Sequence, residues 1–105
     1  MEIYKKDSHM YKIFTDESWQ DYLYWQQNDK RLVKRINELL NDIGRTPFRG
    51  FGKPEPLKHN LTGYWSRRIT DEHRLIYKVE EERTIILSCR YHLKQEPTEM
   101  IQTLV

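Results

Sequence analysis

Between Tyr64 and Tyr91, three runs of β-favouring residues alternate with two short polar turns, and this spacing constrains the fold more than any other feature of the chain. The runs are Tyr64 to Thr70, Arg74 to Val79 and Thr84 to Tyr91, joined by Thr70-Asp71-Glu72-His73 and Glu80-Glu81-Glu82-Arg83. Turns that short connect only adjacent antiparallel strands, so the spacing predicts a meander. Ahead of it, Leu32, Ile36, Leu39, Leu40 and Ile43 form one apolar stripe at helical spacing. Lys30, Arg31, Lys34 and Arg35 occupy the other faces, and Gly44 is the expected stop. A shorter helix over Trp19 to Gln27 precedes it, opened by Asp16-Glu17-Ser18 and traced by Trp19, Tyr22, Leu23 and Gln26. Asn28-Asp29 breaks the two helices apart and can cap the second. Tyr11 to Phe14 reads as a strand. Arg45 to Pro56 reads as a loop, pinned to the core by Phe48 and Phe51. The expected fold class is α+β: a helical hairpin packed on one face of a twisted antiparallel sheet, in the order β-α-α-β-β-β.

The 105 residues suit one domain. Residues 1–9 look like an extension or a cloning scar, with Met10 as the start of the domain. Residues 10–93 form the domain and 94–105 an appended tail, read either as disordered or as a short helix capped near Thr98. No apolar run approaches the roughly 18 residues that span a bilayer. The N-terminus lacks a signal-peptide core, so a cytoplasmic protein without a membrane partner is expected. Cys89 is the only cysteine, which excludes an intrachain disulfide, and its apolar neighbours favour packing over nucleophilic chemistry.

The net charge of +2 hides an asymmetry. Met1 to Ile43 carries −1, Gly44 to Lys78 carries +5, and Val79 to Val105 carries −2. A basic middle third suits contact with a polyanion, because basic side chains displace phosphate counterions. A solvated basic face is the alternative. Strand parity sharpens the choice. Ile85, Leu87, Cys89 and Tyr91 share one face of the last strand, and Leu75, Tyr77 and Val79 one face of the middle strand. If those faces meet the helices, the opposite face gathers Arg68, Arg74, Lys78, Arg90 and His92, with Tyr64 available to stack a base. Arg67 has the wrong parity to join them.

Metal-free RNA cleavage needs a base for the ribose 2′-OH, cations for the phosphorane and an acid for the leaving oxygen, and that face offers the cations. His92 offers an acid. Glu55 offers a base, held between Pro54 and Pro56 and flanked by Lys53 and Lys58; its alternative role is charge compensation within a basic loop. His59 and His73 read as surface or turn histidines. No His/Cys/Asp/Glu cluster has metal-ligand spacing, no phosphate-cradling glycine motif is present, and no cofactor is implied.

Several ordered motifs carry a resemblance. Glu17-Ser18-Trp19-Gln20-Asp21-Tyr22-Leu23-Tyr24-Trp25-Gln26 is followed by Asp29-Lys30-Arg31, Arg45-Thr46-Pro47-Phe48 and Gly52-Lys53-Pro54-Glu55-Pro56-Leu57-Lys58. Gly63-Tyr64-Trp65-Ser66-Arg67-Arg68-Ile69, His73-Arg74-Leu75-Ile76-Tyr77 and Cys89-Arg90-Tyr91-His92 complete the set. Over Met10 to His92 the chain resembles the YoeB/Txe branch of the RelE superfamily. The resemblance implies a toxin of a type II toxin–antitoxin module with a microbial-RNase-like fold. It implies binding at the A site of the 70S ribosome, metal-independent cleavage of mRNA there, and inhibition by a cognate antitoxin. It also implies repression of its own operon, with operator DNA touched through the antitoxin complex. Such proteins often form a homodimer, though no stripe here demands one.

Residue by residue, the resemblance makes Glu55 the general base and His92 the general acid. Arg74 becomes the transition-state arginine, and Lys58 and Arg68 the phosphate ligands. One position departs. These chains typically end in His-Tyr, whereas here Leu93 follows His92 and twelve more residues follow that. Leucine supplies no hydrogen bond, and losing one costs about 1–3 kcal/mol, or roughly 5- to 150-fold in rate. The alternative to an active nuclease is therefore an attenuated or degenerate toxin that binds ribosome or antitoxin without cutting. A gyrase-poisoning relative of the same fold fits less well, because that branch lacks the acid–base set.

Overall fold

The structure, a computed structural model, describes residues 10–91. The segment 1–9, His92, Leu93 and the tail 94–105 lie outside the described residues. The elements are β1 (Tyr11–Phe14), α1 (Asp16–Asn28), α2 (Lys30–Arg45), β2 (Glu55–Pro56), a 3-10 turn (His59–Leu61), β3 (Trp65–Arg68), β4 (Arg74–Glu80) and β5 (Arg83–Ser88). They build an α+β fold with two helices on a five-stranded sheet of order β1-β5-β4-β3-β2. The expected antiparallel meander is present as β3, β4 and β5.

Two features correct the expected sheet. It is mixed, because β1 runs parallel to β5, Tyr11 opposite Arg83 through Phe14 opposite Ile86. The αα-hairpin and the meander form the long crossover that a parallel pair requires. The supposed loop also ends in a fifth strand, β2, antiparallel to β3 with Glu55 opposite Ser66. Pro56 has no N–H for a ladder, and β2 accordingly occupies a sheet edge.

Local chemistry sets the helix ends. Thr15, not the Asp16-Glu17-Ser18 run, caps α1 by accepting from Ser18 N–H at 3.1 Å. Asp16 and Glu17 fall in the first turn, where acids meet the positive end of the helix dipole. Asp29 closes α1 through its N–H to Trp25 O and opens α2 by accepting from Arg31 N–H. Gly44 does not stop α2. The helix runs on to Arg45, and Thr46 ends it by giving both its N–H and its hydroxyl to Asp42 O, so no left-handed residue is needed.

Both helices bury one face. In α2 Ile36, Leu39, Leu40 and Ile43 are buried as the stripe predicts, with Leu32 half-buried. In α1 the buried face is rotated from the expected one. Ser18 and Trp25 are buried, Tyr22 is half-buried, and Trp19 and Gln26 are exposed. The reason is polar. Asp21 and Trp25, one turn apart, both turn towards Cys89: the carboxylate accepts from its N–H and the indole donates to its carbonyl.

The parity of β5 is corrected as well. Tyr77 faces Ile86, but Ile76 faces Ser88, leaving Leu87 as the extra residue of a bulge. A slip of one residue exchanges faces. Ile86 therefore enters the helix-side core with Leu75, Tyr77 and Cys89, whereas Leu87 joins Leu61 and Ile76 in a small cluster on the far face. Leu57 and Tyr64 pack against that cluster, so the far face is partly apolar.

Candidate active site

The loop from Thr46 to Pro54 is built around Arg67. Its guanidinium is fully buried, which is costly without charge and hydrogen-bond partners. It has both. Nη1 meets Asp42 Oδ2 at 2.5 Å and donates to Phe51 O, Nη2 donates to Thr46 O and Arg49 O, and Nε donates to the Tyr77 hydroxyl. Tyr77 in turn donates to Pro47 O at 2.7 Å, and burial pushes its phenol pKa up. The loop passes close enough that a Cβ on Gly50 would overlap the Asp42 carboxylate, and Gly50 has φ +123°. The expected pins do less: Phe48 and Phe51 are exposed, one beside Trp65 and the other beneath Arg35. The loop is held to the core by an ion, not by its aromatics.

This path delivers Glu55 to the sheet edge. Gly52 O accepts from Arg68 N–H, Lys53 turns the chain with φ +50°, and Glu55 then pairs with Ser66. Arg74 Nη1 lies 3.9 Å from Glu55 Oε1 and 3.4 Å from Ser66 Oγ. The Glu55 side chain is 65% exposed and that of Arg74 21%. Such a loose pair contributes less than about 1 kcal/mol to stability, and it leaves the carboxylate free to accept a proton from elsewhere.

Arg68 stands directly opposite Arg74 on the neighbouring strand. Like charges in that position repel. The Nε atoms of Arg68 and Arg74 are both buried without a hydrogen-bond partner, and the charge partner of Arg68 is the fully exposed Asp71 at 3.8 Å. Two adjacent guanidinium groups, that of Arg68 partly exposed, make this edge of the sheet a candidate site for an anion. Lys53 and Lys58 are exposed on either side of Glu55. Lys78 is occupied by Glu80 at 3.2 Å and sits over the ring of half-buried Tyr64.

Arg90 does not join this group. Its guanidinium lies 3.5 Å from the centroid of Tyr24 and 4.9 Å from that of Tyr91, drawn to aromatic faces on the α1 side. His59 is exposed, as expected. His73 sits at the end of the turn before β4, as one of the two readings has it, but it is largely covered there: it stands edge-on to Trp25, and its Nδ1 accepts from Tyr91 N–H at 2.6 Å. Burial lowers its pKa, with Arg90 adding to the effect and Glu72 opposing it. Cys89 is fully buried, and burial pushes its thiol well above the ordinary range. Asp21 is raised to about 6, chiefly by burial. His92 and Leu93 lie outside the described residues.

Sequence reasoning leaves Arg67 outside the site, singles out neither Asp42 nor Asp21, and gives His73 no role. For the first two a signal existed. Arg67 has the parity of Trp65 and Ile69, and Asp42 continues the α2 stripe three residues after Leu39. An arginine and an aspartate that both face one core have to meet.

The family of YoeB-like toxins of bacterial type II toxin–antitoxin systems matches residues 14–93. Toxin YoeB of Escherichia coli K12 is 66% identical over 80 residues, covering 76% of this chain and 95% of that protein. A YoeB dimer from Staphylococcus aureus superposes with a TM-score of 0.77 at 53% identity, covering 80% of this chain and 98% of that one. A heterotetrameric YoeB–YefM toxin–antitoxin complex from the same organism gives 0.76 at 54%, covering 79% and 97%. The class is that of toxins from bacterial type II toxin–antitoxin systems. Within it, this chain belongs to the YoeB-like family.

Proposed function

We propose that the chain is a ribosome-dependent, metal-independent endoribonuclease that cuts mRNA in the A site. The observation that carries this reading is the open face of the sheet, where Glu55 stands beside Arg74 and Arg68 opposes Arg74 with its Nε unused. Glu55 takes the proton of the ribose 2′-OH, and the 2′-oxygen attacks the adjacent phosphorus. Arg74, with Arg68 and Lys58, neutralises the dianionic phosphorane. The bond to the 5′-oxygen breaks, and His92 protonates that oxygen as it leaves. The products are a 2′,3′-cyclic phosphate and a 5′-hydroxyl. Lys53 adds positive field at the mouth of the site, and Tyr64 offers a ring on which a base can stack. The proposed partners are the 70S ribosome with its mRNA and a cognate antitoxin, through which operator DNA is bound. A homodimer is proposed from the dimeric relative.

Substituting Glu55→Ala, Arg74→Ala or His92→Ala should each lower cleavage by about 10²- to 10⁴-fold without loss of folding, and relieve growth arrest. Undiminished toxicity in all three would refute the assignment. Leu93, at the family's tyrosine position, favours a second reading in which the toxin is attenuated. Under that reading Leu93→Tyr raises the cleavage rate. Equal rates remove the reason for it.

A further inference from the structure

The ladder of β5 ends at Ser88, yet Cys89 to Tyr91 are held on both sides by side chains. From α1, Asp21 Oδ2 accepts from Cys89 N–H at 3.0 Å and Trp25 Nε1 donates to Cys89 O at 2.9 Å. From the turn before β4, His73 Nδ1 accepts from Tyr91 N–H at 2.6 Å, while Arg74 N–H donates to Tyr91 O at 2.9 Å. Tyr91 adopts φ +67°, a backbone state that an L-residue keeps only when its surroundings impose it. The ring of His73 lies 4.8 Å from that of Trp25 and 5.5 Å from that of Tyr91.

We propose that Asp21 and His73 are positioning residues whose side-chain acceptors fix the backbone of Cys89 to Tyr91, the end of chain from which His92 follows in sequence. This rests on the reading of His92 as general acid. The clamp is anchored to the catalytic face itself, because Tyr91 is bonded at its N–H by His73 and at its C=O by the adjacent Arg74. A displacement of about 1 Å at a reacting group can cost two orders of magnitude in rate.

The clamp depends on protonation. A neutral His73 accepts at Nδ1, whereas an imidazolium donates at both nitrogens. The groups facing it are Glu72, Arg90, Trp25 and Tyr91, with Asp29 and Arg31 lining the same pocket from the start of α2, and burial holds its pKa below the ordinary value. Asp21 faces Glu17, Arg90 and Cys89. The clamp is complete in neutral solution and opens as His73 takes up a proton in acid.

The test uses two substitutions of His73 in the full chain. Asn places an oxygen near Nδ1 and does not titrate, whereas Phe fills the space without an acceptor. Single-turnover cleavage on programmed ribosomes should fall about tenfold to a hundredfold in His73→Phe. Apparent affinity for the ribosome should stay unchanged, and His73→Asn should recover most of the rate. Asp21→Ala and Asp21→Asn should show the same contrast. Amide hydrogen exchange at Tyr91 in the free toxin should quicken in His73→Phe but not in His73→Asn. Wild-type kcat in His73→Phe, or equal losses in Phe and Asn, would overturn the proposal. Should the wild type itself not cut, the nuclease reading fails, and Tyr91 exchange decides the clamp: unchanged exchange in His73→Phe removes it.

Discussion

Arg67 shows how far one residue shapes this protein. Its charge is spent inside, on Asp42 and on the carbonyls of a loop that would otherwise have no core of its own. Replacing it with methionine leaves the Asp42 carboxylate without its buried partner. Removing one member of such a pair costs about 3–5 kcal/mol, so urea denaturation of Arg67→Met should show a loss of that order. A loss below about 1 kcal/mol would mean that the loop does not depend on the ion. Asp21 is a second informative residue. Its carboxyl titrates at about 6 in the folded chain against an ordinary 3.8, because burial disfavours the charge. Its contribution to stability is therefore full below pH 3.8 and is lost as the pH rises to about 6. Asp21→Asn keeps an acceptor and sheds the buried charge. It should be more stable than wild type at about pH 7.5 and lose that advantage at about pH 4. An advantage equal at both values would contradict the assignment. His73 has the opposite sign: its lowered pKa favours the neutral form, so its contribution is present above pH 6.5 and is lost as the pH falls through the folded value.

At the scale of elements, what the sequence made legible depended on repetition. The α2 stripe and the three-strand meander each repeat one period several times, and both were readable. A bulge interrupts the period once and leaves no compositional mark, which is why Leu87 was assigned to the wrong face. The parallel pairing of β1 was equally hidden, because it depends on a partner some seventy residues away. The rotated face of α1 came from hydrogen bonds to Cys89, and an apolar pattern carries no trace of those. The bulge makes a direct prediction. Ile86 is fully buried in the helix-side core, whereas Ile85 lies opposite Lys78 on the far face. Ile86→Ala should cost about 2–5 kcal/mol in denaturant titration, and Ile85→Ala distinctly less. The reverse order would restore unbroken parity.

Across the whole molecule, the two faces of one sheet carry different chemistry. The helix side holds the apolar core and the Arg67–Asp42 pair. The far side carries Glu55, Arg68 and Arg74, with Lys53 and Lys58 exposed beside Glu55. Arg68 and Arg74 are readable onto one face because basic residues at one parity have no place in a core, and Glu55 stands out as the lone acid between Asp42 and Asp71. Arg90 escaped, because aromatic rings of α1 compete for its guanidinium and the strand pattern does not record them. Among the described residues, no helix is long and apolar enough to cross a membrane.

The proposed activity is cleavage, at this basic face, of a message presented by the ribosome. The measurement that tests it most directly is 5′-end mapping of a defined mRNA, free and on programmed 70S ribosomes, with the chemistry of the new ends determined. Discrete cuts are expected in the A-site codon only when ribosomes are present. The upstream fragment should end in a 2′,3′-cyclic phosphate, and the cuts should vanish in Glu55→Ala and His92→Ala. Cuts that persist in both variants, or an intact message on ribosomes that bind the toxin, would contradict it.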